Sequence, residues 1–251
     1  MLPMWLKAGG WGLFTGSGLI LGALLGYFVN IPQRIIAGAL AFGSGTLFFA
    51  LFYELTIDAY KKGGFWPTAI GFLGGAALFS IVSYWLNRRG GKDRKRTGDE
   101  QPSTAEGSGL AIAAGSFLDG VPESIVVGLS MLSGEQSMST VAIGAIFISN
   151  LPEGLASAAG LKQSGRSARY VCGLWGGIVL TYGIAATIGY VVFSQYSQET
   201  VSVTIAVAAG AMLTMLVDTM VPEAYSEAHE FSGLITVVGF LVAFWLSTFA
   251  G

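Results

Sequence analysis

The sequence predicts an all-α polytopic membrane protein, and three observations carry that expectation. The 251 residues have a mean hydropathy of +0.64; 53% are hydrophobic and only 11% are charged. Soluble domains carry about 25% charged residues, so this much apolar side chain exceeds what one aqueous core of this length can hide. The apolar stretches are continuous and approach the ~20 residues a helix needs to cross hydrocarbon, whereas a membrane barrel reads as short alternating segments. Glycine is abundant, at 37 residues, as expected where helix backbones approach closely in lipid.

Eight spans follow in order, over residues 11–29, 35–57, 65–86, 109–132, 139–161, 170–193, 201–225 and 233–249. The first follows MLPMWLKAGG and has no small-residue cleavage site after it, so it reads as a retained helix rather than a signal peptide. Between the third and fourth lies the one long hydrophilic stretch, 87–108, NRRGGKDRKRTGDEQPSTAEGS. It is expected to be a partly disordered basic loop held in the cytoplasm, because positive loops stay inside. The same side then holds Arg34 and the turn carrying Lys162, Arg166 and Arg169. Ten of the 13 basic residues lie inside, Lys7, Lys61 and Lys62 lie outside, and both termini are extracytoplasmic. The chain is read as one transmembrane domain over 1–251, multi-pass in the cell membrane. The net charge of −2 implies no nucleic-acid partner, and a single cysteine, Cys172, excludes an internal disulfide. A homodimer is compatible with this composition.

The stretch GSGTLFFALFYELTIDAY (43–60) matches AAGAMLTMLVDTMVPEAY (208–225) at an offset of 165. Gly45 pairs with Gly210, Leu51 with Leu216, Asp58 with Glu223, and Ala59–Tyr60 with Ala224–Tyr225. The first copy falls in helix 2 and the second in helix 7. Helices 1–3 and 6–8 are therefore expected to be inverted copies around helices 4 and 5, a 3+2+3 arrangement that is a transporter signature.

Three times a Pro is followed at once by a Glu in apolar sequence: Pro122–Glu123, Pro152–Glu153 and Pro222–Glu223. Asp119, Glu123, Glu153 and Asp218 fall inside the spans, Glu54 and Glu223 nearer their ends, and no Lys or Arg falls within any span. A carboxylate at the bilayer centre costs at least about 2.5–3.5 kcal/mol. Neutralisation by protons or by a bound cation offsets that cost, which points to a cation pathway. Asp119 and Glu123 are four apart and share a helix face, as do Ser149 and Glu153. Asp218 and Glu223 are five apart, which Pro222 would re-aim. Each proline leaves the carbonyl four residues earlier without its helical donor. Those carbonyls belong to Leu118, Ile148 and Asp218, and they add oxygens beside the acids.

At these residues the sequence resembles the ZIP family of divalent-metal transporters. Ser149-Asn150-Leu151-Pro152-Glu153-Gly154 follows the family's His-Asn-x-Pro-Glu-Gly pattern except at its first position. Asp119-Gly120-Val121-Pro122-Glu123-Ser124 keeps only the Pro and Glu, and Asp218-Thr219-Met220-Val221-Pro222-Glu223 is similar to the acidic end of helix 7. The resemblance implies eight helices, a long cytoplasmic loop after helix 3 and a metal site between helices 4 and 5. Carried over, that site uses Asp119, Glu123, Ser149 and Glu153, with Asn150 serving a second site or a bridge. Helix 6 departs from the pattern: where members carry a Glu-Pro, this chain has Leu180 and Thr181.

The expected function is a transporter moving a divalent transition metal into the cytoplasm, zinc first by family and manganese or iron next, with the metal as substrate and no cofactor. One helix group rocks against another around the carboxylates. Glu54 and Asp58 are candidates for an entrance, although Asp58 can equally pair with Lys61 or Lys62. Asp218 and Glu223 are additional pathway candidates. His229, the one histidine, is an exit candidate with Glu227 and Glu230, or an ordinary solvated turn. Two other readings compete. A proton- or sodium-coupled carrier of an organic solute would use the same acids but needs polar or cationic groups in the spans, and none are there. An intramembrane metalloenzyme needs histidine ligands and a general base, so no enzyme is expected.

Overall fold

A computed structural model describes residues 2–86, 88, 108–132 and 140–250, so the expected basic loop lies outside the described residues apart from its two edges. Each predicted span is a helix: α1 (Met4–Phe28), α2 (Gln33–Gly63), α3 (Phe65–Leu86), α4 (Ser108–Ser130), α5 (Thr140–Gln163), α6 (Ala168–Phe193), α7 (Gln198–Ser226) and α8 (Ser232–Ala250). Seven are long and apolar enough to cross a membrane, and α4, at 23 residues, is about 34 Å long at 1.5 Å per residue. Among the described residues the regular structure is entirely helical, and the protein is a multi-pass membrane protein. Its exposed surface agrees, because Trp66, Ile70 and Leu73 of α3 and Leu234, Val237 and Leu241 of α8 all face outward.

Local chemistry sets the ends. The Ser167 and Ser197 hydroxyls accept from the backbone N–H groups of Tyr170 and Thr200 and cap α6 and α7. Helix α1 begins at Met4 rather than at residue 11 because Pro3 fits the position just before a helix and Gly9 is held in it by packing on α6. Tyr27 Oη donates to the Arg166 carbonyl and Lys162 Nζ to Asn30 Oδ1, so the basic α5–α6 turn lies beside the α1–α2 turn that carries Arg34.

Helix directions can be read from glycine contacts. Gly18, Gly22 and Gly26 of α1 meet the carbonyls of Phe147, Leu151 and Leu155 in rising order, so α1 and α5 are parallel. Gly71 and Gly75 of α3 meet Val203 and Val207 of α7, again in parallel. Helix α1 runs antiparallel to α6, with Gly9 near Thr187 and Gly16 near Tyr182. Every pair agrees with strict alternation through the bilayer. One helix group is α1, α4, α5 and α6; the other is α2, α3, α7 and α8; α2 joins them through α5. The centre is α5, in which an 18-residue stretch is 72% buried, against 11% for α8 at the rim.

The inverted repeat is present in the packing itself. A Cβ on Gly45 of α2 would collide with the Thr236 carbonyl of α8, and one on Gly210 of α7 with the Phe72 carbonyl of α3. Reciprocally, Gly239 of α8 abuts the Phe42 carbonyl and Gly75 of α3 abuts the Val207 carbonyl. Positions 42, 45, 72 and 75 thus correspond to 207, 210, 236 and 239, and because α1 opposes α6 the copies are inverted. Both copies carry a π-helical stretch at the matching place, Ala50–Thr56 in α2 and Leu216–Met220 in α7. Both also turn sharply at the matching residue: Gly64 has φ 76° and His229 has φ 46°, the one non-glycine at positive φ among the described residues. A backbone conformation glycine takes freely is imposed on a histidine by the repeat.

Two outcomes follow from these contacts. Gly45→Ala and Gly210→Ala each push a methyl into backbone that cannot rotate away, and should destabilise the protein by about 1–3 kcal/mol. Gly74→Ala, with open space around it, should be neutral; the loss of monodispersity on heating detergent-purified protein reads both. His229→Gly should raise that transition by relieving about 1 kcal/mol of backbone strain; a lower transition would refute the strain.

Candidate functional site

The site is built where two proline-broken helices face the middle of the first group. Pro122 lies inside α4 and Pro152 inside α5, and neither ends its helix. Around them Asp119, Glu123 and Glu153 are 2%, 2% and 3% exposed, although carboxylates are among the residues least often buried. Ser124, Ser149 and Asn150 are buried with them. Every described Lys and Arg lies at or near a helix end, and none is buried.

Helix α6 supplies the residue that links the acids. Tyr182 is almost completely buried, and the charges of Glu123, Glu153 and Asp119 all bear on its phenol. The Tyr182 ring stands 3.1 Å from the space a Cβ on Gly16 would take and fills the space a Cβ on Gly120 would take. It is therefore wedged between α1 and α4, directly beside Asp119. Its hydroxyl meets no hydrogen-bond partner among the described residues. Sequence motifs point on α6 to Leu180 and Thr181 and not to this tyrosine. The available signal was its depth: Tyr belongs in the interfacial belts, and this one is mid-span. The two positions that were named behave otherwise, because Leu180 is 61% exposed toward lipid and the Thr181 hydroxyl donates to the Ile178 carbonyl.

The α5 residues are held from two sides. Asn150 Nδ2 donates to the Thr15 carbonyl of α1 at 2.9 Å, which leaves its Oδ1 with no hydrogen-bond partner among the described residues. Ser149 Oγ donates to the Ile146 carbonyl at 2.8 Å and lies against Gly43 of α2. Among the described residues no three His, Cys, Asp or Glu side chains stand close enough to hold one ion between them. The acids thus surround Tyr182 without converging on a point, and an ion there would draw on hydroxyl, amide or carbonyl oxygens as well.

The remaining candidates lie elsewhere. Asp218 lies within α7, inside a span as expected, and its side chain is exposed rather than gathered with the buried acids. The reason is local. The π stretch Leu216–Met220 rotates the helix, and Pro222 falls in the first turn of the segment that restarts at Val221, where a missing N–H disrupts nothing. Glu223 is buried where the end of α7 packs against α2. Glu54 is half-buried within the π stretch of α2, and Asp58 is ion-paired with Lys62. His229 is exposed at the α7–α8 turn with its ring edge-on to Tyr225.

No family model matches the chain. It is 27% identical over 257 aligned positions to the zinc transporter ZupT of Corynebacterium glutamicum, with 93% of this chain and 94% of that protein covered. That likeness runs nearly end to end, along the inverted eight-helix fold just described.

Proposed function

We propose that the chain transports a divalent transition metal, zinc first and manganese or iron next, through the carboxylates of α4 and α5 into the cytoplasm. One observation carries this reading: three carboxylates, Asp119, Glu123 and Glu153, are buried in the interior of the bundle and all bear on a single phenol. Oxygen ligands gathered at that depth suit a cation in transit. Ser149, Asn150 Oδ1 and the carbonyl of Ile148, whose helical donor Pro152 removes, add neutral oxygens that bind without excess affinity. The zinc-transporting relative makes zinc the first choice, while an oxygen-dominated set suits manganese as well. A carrier of cationic or anionic organic solutes is less well matched, because the buried charged groups among the described residues are all carboxylates.

The orientation follows the charges. With the helices alternating in direction, Arg34, Arg88, Lys162, Arg166 and Arg169 lie at turns on one face of the bundle, so we assign that face to the cytoplasm and both termini to the outside.

Purified protein in proteoliposomes should take up radiolabelled zinc. Glu123→Gln and Glu153→Gln should each slow initial uptake by at least about tenfold, the scale of losing a charged ligand. Uptake that survives both changes, or proton-driven flux of an organic solute without metal, would sink the proposal. Arg166→Cys in a Cys172→Ser background should react with an impermeant maleimide only from the cytoplasmic side; labelling from outside would invert the topology.

A further inference from the structure

We propose that Tyr182 is a cation-binding residue of this site, its phenol oxygen facing the same ion as the α4 and α5 carboxylates, and that Gly120 is the residue that admits it. This rests on the reading of α4 and α5 as cation-binding helices.

The argument begins from the hydroxyl. Tyr182 is 1% exposed and its Oη has no hydrogen-bond partner among the described residues. A buried hydroxyl left unsatisfied is a cost that phenylalanine would avoid while filling the same space. Packing therefore explains the ring and leaves the oxygen unexplained. The oxygen stands where any side chain at position 120 would begin, one residue from Asp119 and one helical turn from Glu123. The opposite face of the ring lies on Gly16 of α1, so the side chain is clamped between two glycines and cannot swing out. A neutral oxygen fixed among three carboxylates adds a ligand without adding charge. That favours ions that take many oxygens, such as Mn²⁺, over Zn²⁺, which is satisfied by four ligands.

Tyr182→Phe keeps the ring and removes only the oxygen. Titration of purified protein with Zn²⁺ or Mn²⁺ by calorimetry, alongside proteoliposome uptake, should show manganese affinity down about tenfold and zinc affinity down about threefold, the scale of one lost ligand. Maximal uptake rates should change less than the affinities. Gly120→Ala, which forces the ring aside with its hydroxyl intact, should lower affinity in the same order, and combining it with Tyr182→Phe should add little. Affinities within about twofold of the parent in Tyr182→Phe, where a ligand is expected to matter about tenfold, would overturn the inference. Glu153→Gln separates the two levels: if it loses binding while Tyr182→Phe does not, only this inference fails. If Glu153→Gln itself binds and transports normally, the transport reading fails with it.

Discussion

A carboxylate carried into hydrocarbon costs several kcal/mol, and a whole folded domain is held together by only about 5–15 kcal/mol. Three of them bearing on one buried side chain would be untenable in a chain that did nothing else to accommodate them. Much of the molecule is arranged to make that burial tolerable. Helix α5 is packed chiefly between α1 and α2. Prolines open oxygens in the two helices that carry the acids, and glycines bring the neighbouring backbones close enough to exclude lipid. The rim helices α3 and α8 face lipid with large apolar side chains and carry no part of the chemistry.

The sequence shows the spans plainly because length and hydrophobicity are all the bilayer asks of a helix. It also shows the repeat and the acids of α4 and α5. It does not show which side of a helix faces inward when that helix is apolar on every side, and Asp218 is the result: a buried-looking acid that points outward. The π stretches leave no mark in composition, since Ala50–Thr56 and Leu216–Met220 are ordinary apolar sequence, and they turn the residues after them by an amount no spacing rule anticipates. Tyr182 went unread for another reason. Charge marks a ligand in a sequence and a phenol carries none, although Gly120, whose missing side chain makes room for it, stands in the α4 motif.

The reciprocal glycine crossings say that the two triplets are one design used twice, and their arithmetic has a consequence for how the chain is made. Three crossings per copy is an odd number, so a tandem duplicate can enter the membrane only upside down. The second triplet carries little charge of its own to fix which way up it lies: after Arg169 in the first turn of α6, from Tyr170 to Gly251 there is not one Lys or Arg. By the positive-inside rule, the basic residues able to orient it, Lys162, Arg166 and Arg169, all lie at or just before the turn of helix with which it begins.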